Sequence, residues 1–267
     1  MDNRPVGIFD SGLGGLTAVK ALRKLLPGEN IIYFADSARV PYGTKSLKEL
    51  KVMTRQNLDF LASFDVKIIL AACGTVSSNT ADILESYPIK SIGVVKSAVK
   101  AMGNIPGSRP LGIIATPASI RGAAFERELR KLYPEREIIC GPCPDFVTLI
   151  ENGHSSTGDS LLNEAVRKYM KPFKDADAAA VLLGCTHFGI ISEALRAYLG
   201  DSTELVSASV SAAERLADIL REKDALGSGG ELRCFTSGIP EEFSSLAADF
   251  LGEEPESFPR HVPPMEV

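Results

Sequence analysis

Two cysteines are the residues of this chain whose type and setting best suit chemistry. Cys73 and Cys185 each follow a short apolar run, and each is followed within two residues by a threonine. Runs of this kind are typical of buried parallel strands, and ligands bind outside the carboxyl ends of such strands. A single cysteine there is usually a small core residue. Because the two are matched, we expect both thiols to face one pocket from opposite sides.

The elements that must position these thiols alternate along the chain. Apolar runs of strand length alternate with helix-length periodic segments, which predicts an α/β fold with mostly parallel sheets flanked by helices. The strands Val6–Phe9 and Ile31–Phe34 precede the Cys73 strand, and a similar series restarts at Leu111 and ends at the Cys185 strand. We interpret this as a diverged internal repeat that places equivalent strand ends face to face across a cleft.

A crossing rich in Gly and Pro at Met102–Arg109 separates the two halves. The C-terminal segment continues the alternation with a helix at 208–226, a strand at Leu232–Thr236 and a helix at 240–250, so we expect it to complete the first domain. The predicted domains are therefore 1–96 plus 208–267, and 97–207. The tail from Glu253 is rich in Pro and Glu, and we expect it to be loosely held.

Two loops that follow the first strands contain further candidate residues. The first strand ends at Asp10-Ser11 and a glycine-rich loop that opens a helix, an arrangement that often binds anions. The loop lacks the full dinucleotide fingerprint and the Walker lysine, which disfavours a nucleotide. Asp10 either orients a thiol, binds an ammonium group or caps the helix. The second loop ends at Tyr42-Gly43, before a capping box formed by Ser46 and Glu49.

Composition excludes several classes of partner. The net charge is −5 and no run of Lys or Arg occurs, which argues against nucleic acid. Apolar runs reach only strand length, and the N-terminus lacks the features of a secretory signal, so we expect no membrane partner and a cytoplasmic protein. The five cysteines are irregularly spaced, which fits reduced thiols rather than a disulfide framework.

Other chemistries have weaker support. Cys140-Gly-Pro-Cys143 has the spacing of a thiol-disulfide oxidoreductase, although a proline follows at once and the chain has no Trp. The histidines show no metal-ligand spacing, so we expect no metal site. His187 lies two residues after Cys185, where it could help to move a proton; a Cys-His hydrolase would use the same pair but would leave Cys73 without a role. Glu151 either points into the cleft or is a solvated helix-end carboxylate.

Four motifs together resemble the Asp/Glu racemase family. They are Asp10-Ser11-Gly-x-Gly-Gly, Asp36 with Pro41-Tyr42-Gly43, Ala72-Cys73-x-Thr75 and Gly184-Cys185-Thr186-His187. The resemblance implies two α/β domains related by pseudo-twofold symmetry, and a 1,1-proton transfer that needs no cofactor. It further implies the amino acid glutamate as substrate, a homodimer, and a role in the bacterial cytoplasm in supplying D-glutamate for peptidoglycan.

The same resemblance implies roles for individual residues. Cys73 and Cys185 would be the two acid/base thiols, assisted by Asp10, Glu151 and His187. The chemistry agrees, because inverting an α-carbon needs a base on one face and an acid on the other, with donors such as the loop N–H groups to stabilise the carbanion. The implied substrate-binding residues are Asp10, Ser11, Tyr42, Gly43, Gly74, Thr75, Thr116, Ser119 and Thr186.

Three positions depart from the family pattern. The family has Asn where this chain has Gly74, usually Pro at Gly189, and commonly Thr at Ser119. Because an amide at position 74 would bind the amino-acid head, we expect a weaker glutamate racemase or a pocket that has drifted toward aspartate or another small amino acid. On this hypothesis Gly74→Asn should raise glutamate turnover if the fold accepts the side chain and the rest of the pocket resembles that of the family. A binding protein without catalysis and the oxidoreductase remain as alternatives from other classes.

Overall fold

The computed structural model describes residues 1–252 and 255–259, which form ten parallel strands in two sheets. The strands are β1 (Val6–Asp10), β2 (Ile31–Ala35), β3 (Ile68–Ala71), β4 (Ser91–Gly93), β5 (Leu111–Ala115), β6 (Ile138–Pro142), β7 (Ala180–Leu183), β8 (Glu204–Ser207), β9 (Leu232–Thr236) and β10 (Glu256–Pro259). The helices are α1 (Leu16–Leu25), α2 (Leu47–Ala62), α3 (Gly74–Asn79), α4 (Ala81–Ser86), α5 (Val95–Met102), α6 (Pro117–Gly122), α7 (Ala124–Leu132), α8 (Pro144–Glu151), α9 (Ser160–Asp175), α10 (Ser192–Leu199), α11 (Ala208–Glu222) and α12 (Pro240–Leu251).

The two sheets repeat one topology. The first sheet has the order β10-β9-β2-β1-β3-β4, and the second has the order β6-β5-β7-β8. In each, the first strand of the repeat lies between the second and the third. Gly7 of β1 lies opposite Ile32 and Ile69, and Gly112 of β5 lies opposite Ile139 and Val181. The predicted α/β class with two parallel sheets is therefore confirmed. We call the units built on these sheets the first and second domains.

Burial explains why these segments form strands and amphipathic helices. Every residue of β1, β2, β3, β5 and β7 is buried, as expected where helices cover both faces of a parallel sheet. The predicted capping box is confirmed at the start of α2: the Ser46 N–H donates to Glu49 Oε2 (2.8 Å), and the Glu49 N–H donates to Ser46 Oγ (3.3 Å). No helix within 1–252 and 255–259 combines the length and apolarity needed to cross a membrane.

The hydrophobic core is continuous between the domains. α5 packs against both α7 and α11, and α11 packs against α1, so buried side chains of the two sheets form one cluster. The strands of the second sheet fall within the predicted domain 97–207, and those of the first sheet fall outside it. The exact boundaries stay a prediction. This shared core joins the domains behind the strand ends where the candidate site lies.

The C-terminal tail differs from the prediction. Glu256–Pro259 forms β10 and pairs in parallel with β9, and the rings of Phe258 and Phe235 lie 5.3 Å apart. The expectation of a loosely held tail is wrong for these residues, because the exposed edge of β9 offers unpaired backbone groups to a further strand. Residues 253–254 and 260–267 lie outside the described part of the chain. The strand β4 ends at Gly93, and Val95 already begins α5.

A buried ion pair fastens the end of the first sheet opposite the candidate site. Lys67 Nζ lies 2.6 Å from Glu29 Oε2, with side chains 3% and 1% exposed. The same ammonium donates to the carbonyl oxygens of Asp2 (2.7 Å) and Ala225 (2.8 Å), and Glu29 Oε1 accepts the Gly227 N–H (2.6 Å). The pair therefore joins the N-terminus, the start of β3 and the loop after α11.

We expect Glu29→Gln to lower the free energy of unfolding by about 3 kcal/mol, because the substitution leaves a buried ammonium group without its counter-charge. Urea titration measures the loss. The matched control is Asp82→Asn, which breaks the exposed pair with Lys51 and should cost less than about 1 kcal/mol. Equal losses from the two substitutions would contradict the role assigned to the buried pair.

Candidate active site

The candidate site lies where the carboxyl ends of β1 and β3 face those of β5 and β7. Cys73 comes two residues after the end of β3, and Cys185 comes two residues after the end of β7. The thiols therefore come from equivalent points of the two domains. Both are almost enclosed, with exposed fractions of 3% for Cys73 and 8% for Cys185. A molecule held between them would present one face to each sulfur atom.

A chain of polar contacts leads from Cys185 to the first domain. The Cys185 sulfur lies 3.8 Å from His187 Nδ1, and His187 Nε2 lies 2.5 Å from Glu151 Oε1. Glu151 is the last residue of α8, and its Oε1 accepts the N–H of Leu13 from the loop after β1 (3.3 Å). Glu151 thus points into the cleft, which was one of the two interpretations of this residue from the sequence. The ring of His187 can exchange a proton with the sulfur on one side while the carboxylate holds the other.

The contacts of His187 decide its charge. Burial alone would lower the pKa of His187, but the hydrogen bonds to Cys185 and Glu151 and the negative charge of Glu151 raise this pKa well above its ordinary value. Burial alone would raise the pKa of Glu151. The hydrogen bond to His187 and the charge of His187 outweigh burial, so the pKa of Glu151 is lowered. The pair is therefore an imidazolium beside a carboxylate near neutral pH.

Cys73 lies near the negative charge of Asp10, whereas Cys185 lies beside the imidazolium of His187. Burial and, next, the negative charge of Asp10 raise the pKa of Cys73, while the N–H groups of Val76 and Thr75 lower it by a smaller amount. Cys73 is therefore a thiol at neutral pH. Burial also raises the pKa of Asp10, against the effect of the charge of His187 and of nearby N–H groups, including that of Ser11.

The glycine-rich loop after β1 binds carboxylates of the protein itself. Asp10 Oδ2 accepts the N–H groups of Gly15 (2.8 Å) and Gly12 (3.4 Å), and the Leu13 N–H is bonded to Glu151. The expectation that these loop N–H groups stabilise a carbanion is wrong for these three donors, because each already has a partner. Asp10 also accepts the hydroxyl of Thr186 (3.2 Å), so the loop joins the two domains.

Hydroxyl groups bridge the cleft on the side of Cys73. Thr75 Oγ1 of the first domain lies 3.0 Å from Thr116 Oγ1 of the second, and Thr116 Oγ1 lies 3.0 Å from Ser119 Oγ. Thr116 also caps α6 by accepting the Ser119 N–H (3.3 Å). All three side chains are buried. The structure therefore brings these three residues together at one edge of the site.

The hydroxyl of Tyr42 is bonded within the first domain. Its hydroxyl donates to the carboxylate of Asp36 and accepts from Asn57 Nδ2 (3.0 Å). Asp36 also accepts from Arg39 Nε (2.7 Å) and Ser237 Oγ (2.8 Å), so it anchors the loop. The Tyr42 hydroxyl is therefore engaged by groups of the first domain.

Tyr33 supports the site and was missed by the sequence reasoning. Its hydroxyl donates to the carbonyl oxygen of Gly12 (2.6 Å), and a Cβ on Gly15 would lie 2.6 Å from that hydroxyl. Burial, reinforced by the charge of Asp10, raises its pKa well above the ordinary value, so it stays a neutral donor. The available signal was a phenol within an apolar strand, since a buried Tyr hydroxyl needs a partner.

The Cys140/Cys143 pair lies outside this network. The Cys140 sulfur contacts Glu126 Oε2 of α7 (3.5 Å), whereas Cys143 packs in the cluster around α8 and α9. Burial raises the pKa of Cys140 to about 12 and raises the pKa of Cys143 further. Thiol-disulfide exchange needs a thiolate, so these surroundings argue against an oxidoreductase site.

Glycines of the first domain make room for side chains of the second. A Cβ on Gly12 would lie 2.5 Å from Glu151 Oε1, one on Gly14 would lie 2.6 Å from His187 Nδ1, and one on Gly43 would lie 2.7 Å from Thr116 Cβ. Real Cβ contacts are essentially never shorter than 3.0 Å. Gly43 therefore belongs to the site because of its close approach to Thr116.

Gly74 makes the tightest of these approaches. A Cβ there would overlap the carbonyl oxygen of Gly184, far inside 3.0 Å, and the obstacle is backbone. The condition under which Gly74→Asn was expected to raise turnover is therefore not met in this arrangement of the domains, because the backbone leaves no room for a Cβ; the effect on turnover stays a prediction.

Known proteins resemble the chain over nearly its full length. The model of the Asp/Glu/hydantoin racemase family matches residues 17–216. The glutamate racemase of Thermoanaerobacter pseudethanolicus is 33% identical over 261 residues, which cover 96% of this chain and 97% of that protein. Glutamate racemase isoform RacE1 from Bacillus anthracis superposes with a TM-score of 0.91 at 28% identity, covering 97% of this chain and 98% of that one. Glutamate racemase from Francisella tularensis, in complex with D-glutamate, gives 0.88 at 37% identity with 98% of each chain covered.

We expect Glu151→Gln to lower the pKa of His187, because the substitution removes the anion that stabilises the imidazolium. Titration of the imidazole by NMR measures this pKa. The charged or ionisable groups near His187 besides Glu151 are Asp10 and Cys185, and both remain in the variant. The control is Glu242→Gln: Glu242 lines a cavity of about 280 Å³ beside Glu151 and should leave the pKa unchanged. An unchanged pKa in Glu151→Gln would contradict the assignment.

Proposed function

The chain belongs to the Asp/Glu/hydantoin racemase family and is an amino-acid racemase, an isomerase; on that premise we propose that it interconverts L- and D-glutamate by proton transfer between two thiols. The observation that carries the proposal is the placement of Cys73 and Cys185 at equivalent strand ends of the two domains. The D-glutamate complex of the similar Francisella tularensis enzyme supports the choice of substrate.

The reaction has two proton transfers. One sulfur, as thiolate, takes the α-proton and becomes a thiol, and the electron pair of the C–H bond stays on the substrate as a carbanion. The other sulfur, as thiol, gives its proton to the opposite face and becomes a thiolate. The product has the opposite configuration, and the two sulfurs have exchanged protonation states. No step requires a cofactor.

The resemblance to the family assigns Cys73 to the D enantiomer and Cys185 to the L enantiomer. On the Cys185 side, the imidazolium of His187, held by Glu151, is within reach of the sulfur and can exchange a proton with it. On the Cys73 side, the ammonium group of a substrate beside Asp10 would offset the negative charge that raises the pKa of Cys73. Both sulfurs can thus act as a base when substrate is bound.

The buried hydroxyls provide the proposed substrate contacts. Thr75, Thr116 and Ser119 lie on one side of the thiols, and Thr186 lies beside Asp10. Ser11 is buried next to Asp10, and the backbone of Tyr42 and Gly43 completes the list. Donors from both domains would bind the two carboxylates of glutamate. This leaves the α-carbon between the sulfurs.

The biological setting is also a proposal. We infer a role in the bacterial cytoplasm that supplies D-glutamate for peptidoglycan, and a homodimer as the working form, from the resemblance of the four motifs to the family. The rival substrate within the family is aspartate or another small amino acid. A substrate panel separates these possibilities directly.

The decisive assay is incorporation of solvent deuterium at Cα, measured by NMR or mass spectrometry across D- and L-amino acids. We expect both glutamate enantiomers to gain one deuterium and to interconvert without added cofactor, since the proton that reaches Cα comes from a thiol that exchanges with solvent. Prior dialysis against a chelator should leave the rate unchanged. Exchange with aspartate but not with glutamate would overturn the substrate assignment.

We expect Cys73→Ser and Cys185→Ser each to reduce turnover by at least about 100-fold, because a hydroxyl is a much weaker acid than a thiol. The residual rates and primary isotope effects should depend on which enantiomer is the substrate. The control is the double variant Cys140→Ser/Cys143→Ser, which should retain turnover within a few-fold. Identical losses and isotope effects in both directions would favour a single base, and a comparable loss in the control would refute the thiol assignment.

A further inference from the structure

Gly74 brings the backbones of the two domains into direct contact beside both thiols. The nearest atoms to a Cβ on Gly74 are the carbonyl oxygen of Gly184, its carbonyl carbon (3.0 Å) and Cys185 Cα (3.6 Å). All three are backbone atoms of the second domain. A side chain at position 74 therefore cannot be accommodated by rotation of a neighbouring side chain. Only movement of one domain relative to the other would relieve the overlap.

We propose that Gly74 is a positioning residue that sets how closely the two domains close, and thereby the separation of the two thiols; the proposal rests on the two-thiol function proposed above. Gly74 directly follows Cys73, and Gly184 directly precedes Cys185. The contact thus joins the chain neighbours of the two sulfurs. Because no flexible segment lies between this contact and the sulfurs, a change in the distance between Gly74 and Gly184 changes the separation of the two thiols.

The contact belongs to the closed arrangement of the domains. The thiols are only 3% and 8% exposed, so a substrate reaches them after the domains separate at this edge. The polar contacts across this edge are few and include Thr186 to Asp10, Thr17 to Thr186, Leu13 to Glu151, Thr75 to Thr116 and Asn79 to Ala118. The apolar core behind it, around α5 and α11, joins the domains independently of these bonds. A side chain at position 74 therefore acts on closure rather than on folding.

The departure from the family pattern then has a physical meaning. To admit an Asn at this position, the domains would have to stand more than about 1 Å further apart than here, a displacement large enough to cost on the order of 100-fold in rate. Gly74 gives up a side-chain contact with the amino-acid head and permits closer approach of the thiols. We therefore expect an efficient enzyme that Gly74→Asn slows, the reverse of the effect expected from the motif alone.

The test measures closure without substrate. Gly74→Ala and the wild type are treated with iodoacetamide, and alkylation of each cysteine is followed by peptide mass spectrometry. Cys73 and Cys185 report on the cleft, whereas Cys234 and Cys143, buried in the cores of the first and second domains, report on domain integrity. The matched control is Gly189→Ala, an interdomain glycine whose nearest neighbour is the side-chain atom Thr17 Cγ2 at 3.2 Å, so that the added methyl group is accommodated.

In Gly74→Ala, we expect several-fold faster alkylation of Cys73 and Cys185 with no change at Cys234 and Cys143, and no change at any of the four in Gly189→Ala. Turnover of Gly74→Ala should fall by about 100-fold in both directions, mainly in kcat, because the thiols stand too far from Cα in the closed complex. Wild-type alkylation rates in Gly74→Ala would overturn the proposal. Faster alkylation at Cys234 or Cys143, or a variant that does not fold, would also overturn it, since Gly74 would then serve folding. If the wild type fails to racemise glutamate, the substrate is wrong, and the alkylation result still decides the closure.

Discussion

The close approach of the two domains across the cleft is the constraint on which the rest of the site depends. The four glycines that permit it, Gly12, Gly14, Gly43 and Gly74, stand opposite Glu151, His187, Thr116 and Gly184 respectively. Each marks a place where a group of the second domain occupies space that a side chain of the first would otherwise fill. The glycine-rich loop after β1 therefore serves the contact between domains. Its N–H groups bind Asp10 and Glu151, so the loop fixes protein carboxylates rather than a phosphate.

The repeat gives the thiols equivalent positions but different electrostatic surroundings. Both follow the third strand of the repeat by two residues, in sheets of the same strand order. Cys73 faces the carboxylate of Asp10, whereas Cys185 faces the imidazolium of His187. The two enantiomers of an amino acid are mirror images, but the protein around them is chiral. The two proton transfers therefore need not have equal barriers. The imidazolium of His187 and the carboxylate of Glu151 offset each other, which limits the cost of burying this pair.

Sequence alone predicted most of the elements and placed both cysteines at strand ends, whereas the roles of the site residues stay predictions. Alternating apolar runs predicted the strands, and the matched cysteines predicted the thiols, because period and strand-end position are local properties. The Tyr33 hydroxyl bond, the orientation of Tyr42 and the obstacle at Gly74 could not be predicted, since each depends on an atom distant in sequence. Position 74 is the clearest case: comparison with the family pattern indicates a missing amide, whereas the geometry shows that no side chain fits. The edge strand β10 was missed for the same reason, because its partner lies in tertiary contact and its own composition resembles a loop.

The hydroxyl groups of the site connect binding to closure. Thr75 and Thr116 bond to each other across the cleft, and Thr186 bonds to Asp10, so these donors are satisfied while the domains are closed. A bound amino acid would replace neutral hydroxyl pairs by hydrogen bonds to charged groups, which contribute about 1.5–3 kcal/mol each compared with about 1 kcal/mol for neutral ones. Opening of the cleft therefore requires little free energy, and closure on a substrate releases more free energy than opening required. Since the donors come from both domains, a substrate held by one domain alone satisfies only part of its charge, and the full set of bonds forms only when Gly74 and Gly184 are again in contact. On the proposed mechanism, the same closure that completes binding brings the sulfurs to the α-carbon, and substrate binding energy is used to position the two thiols.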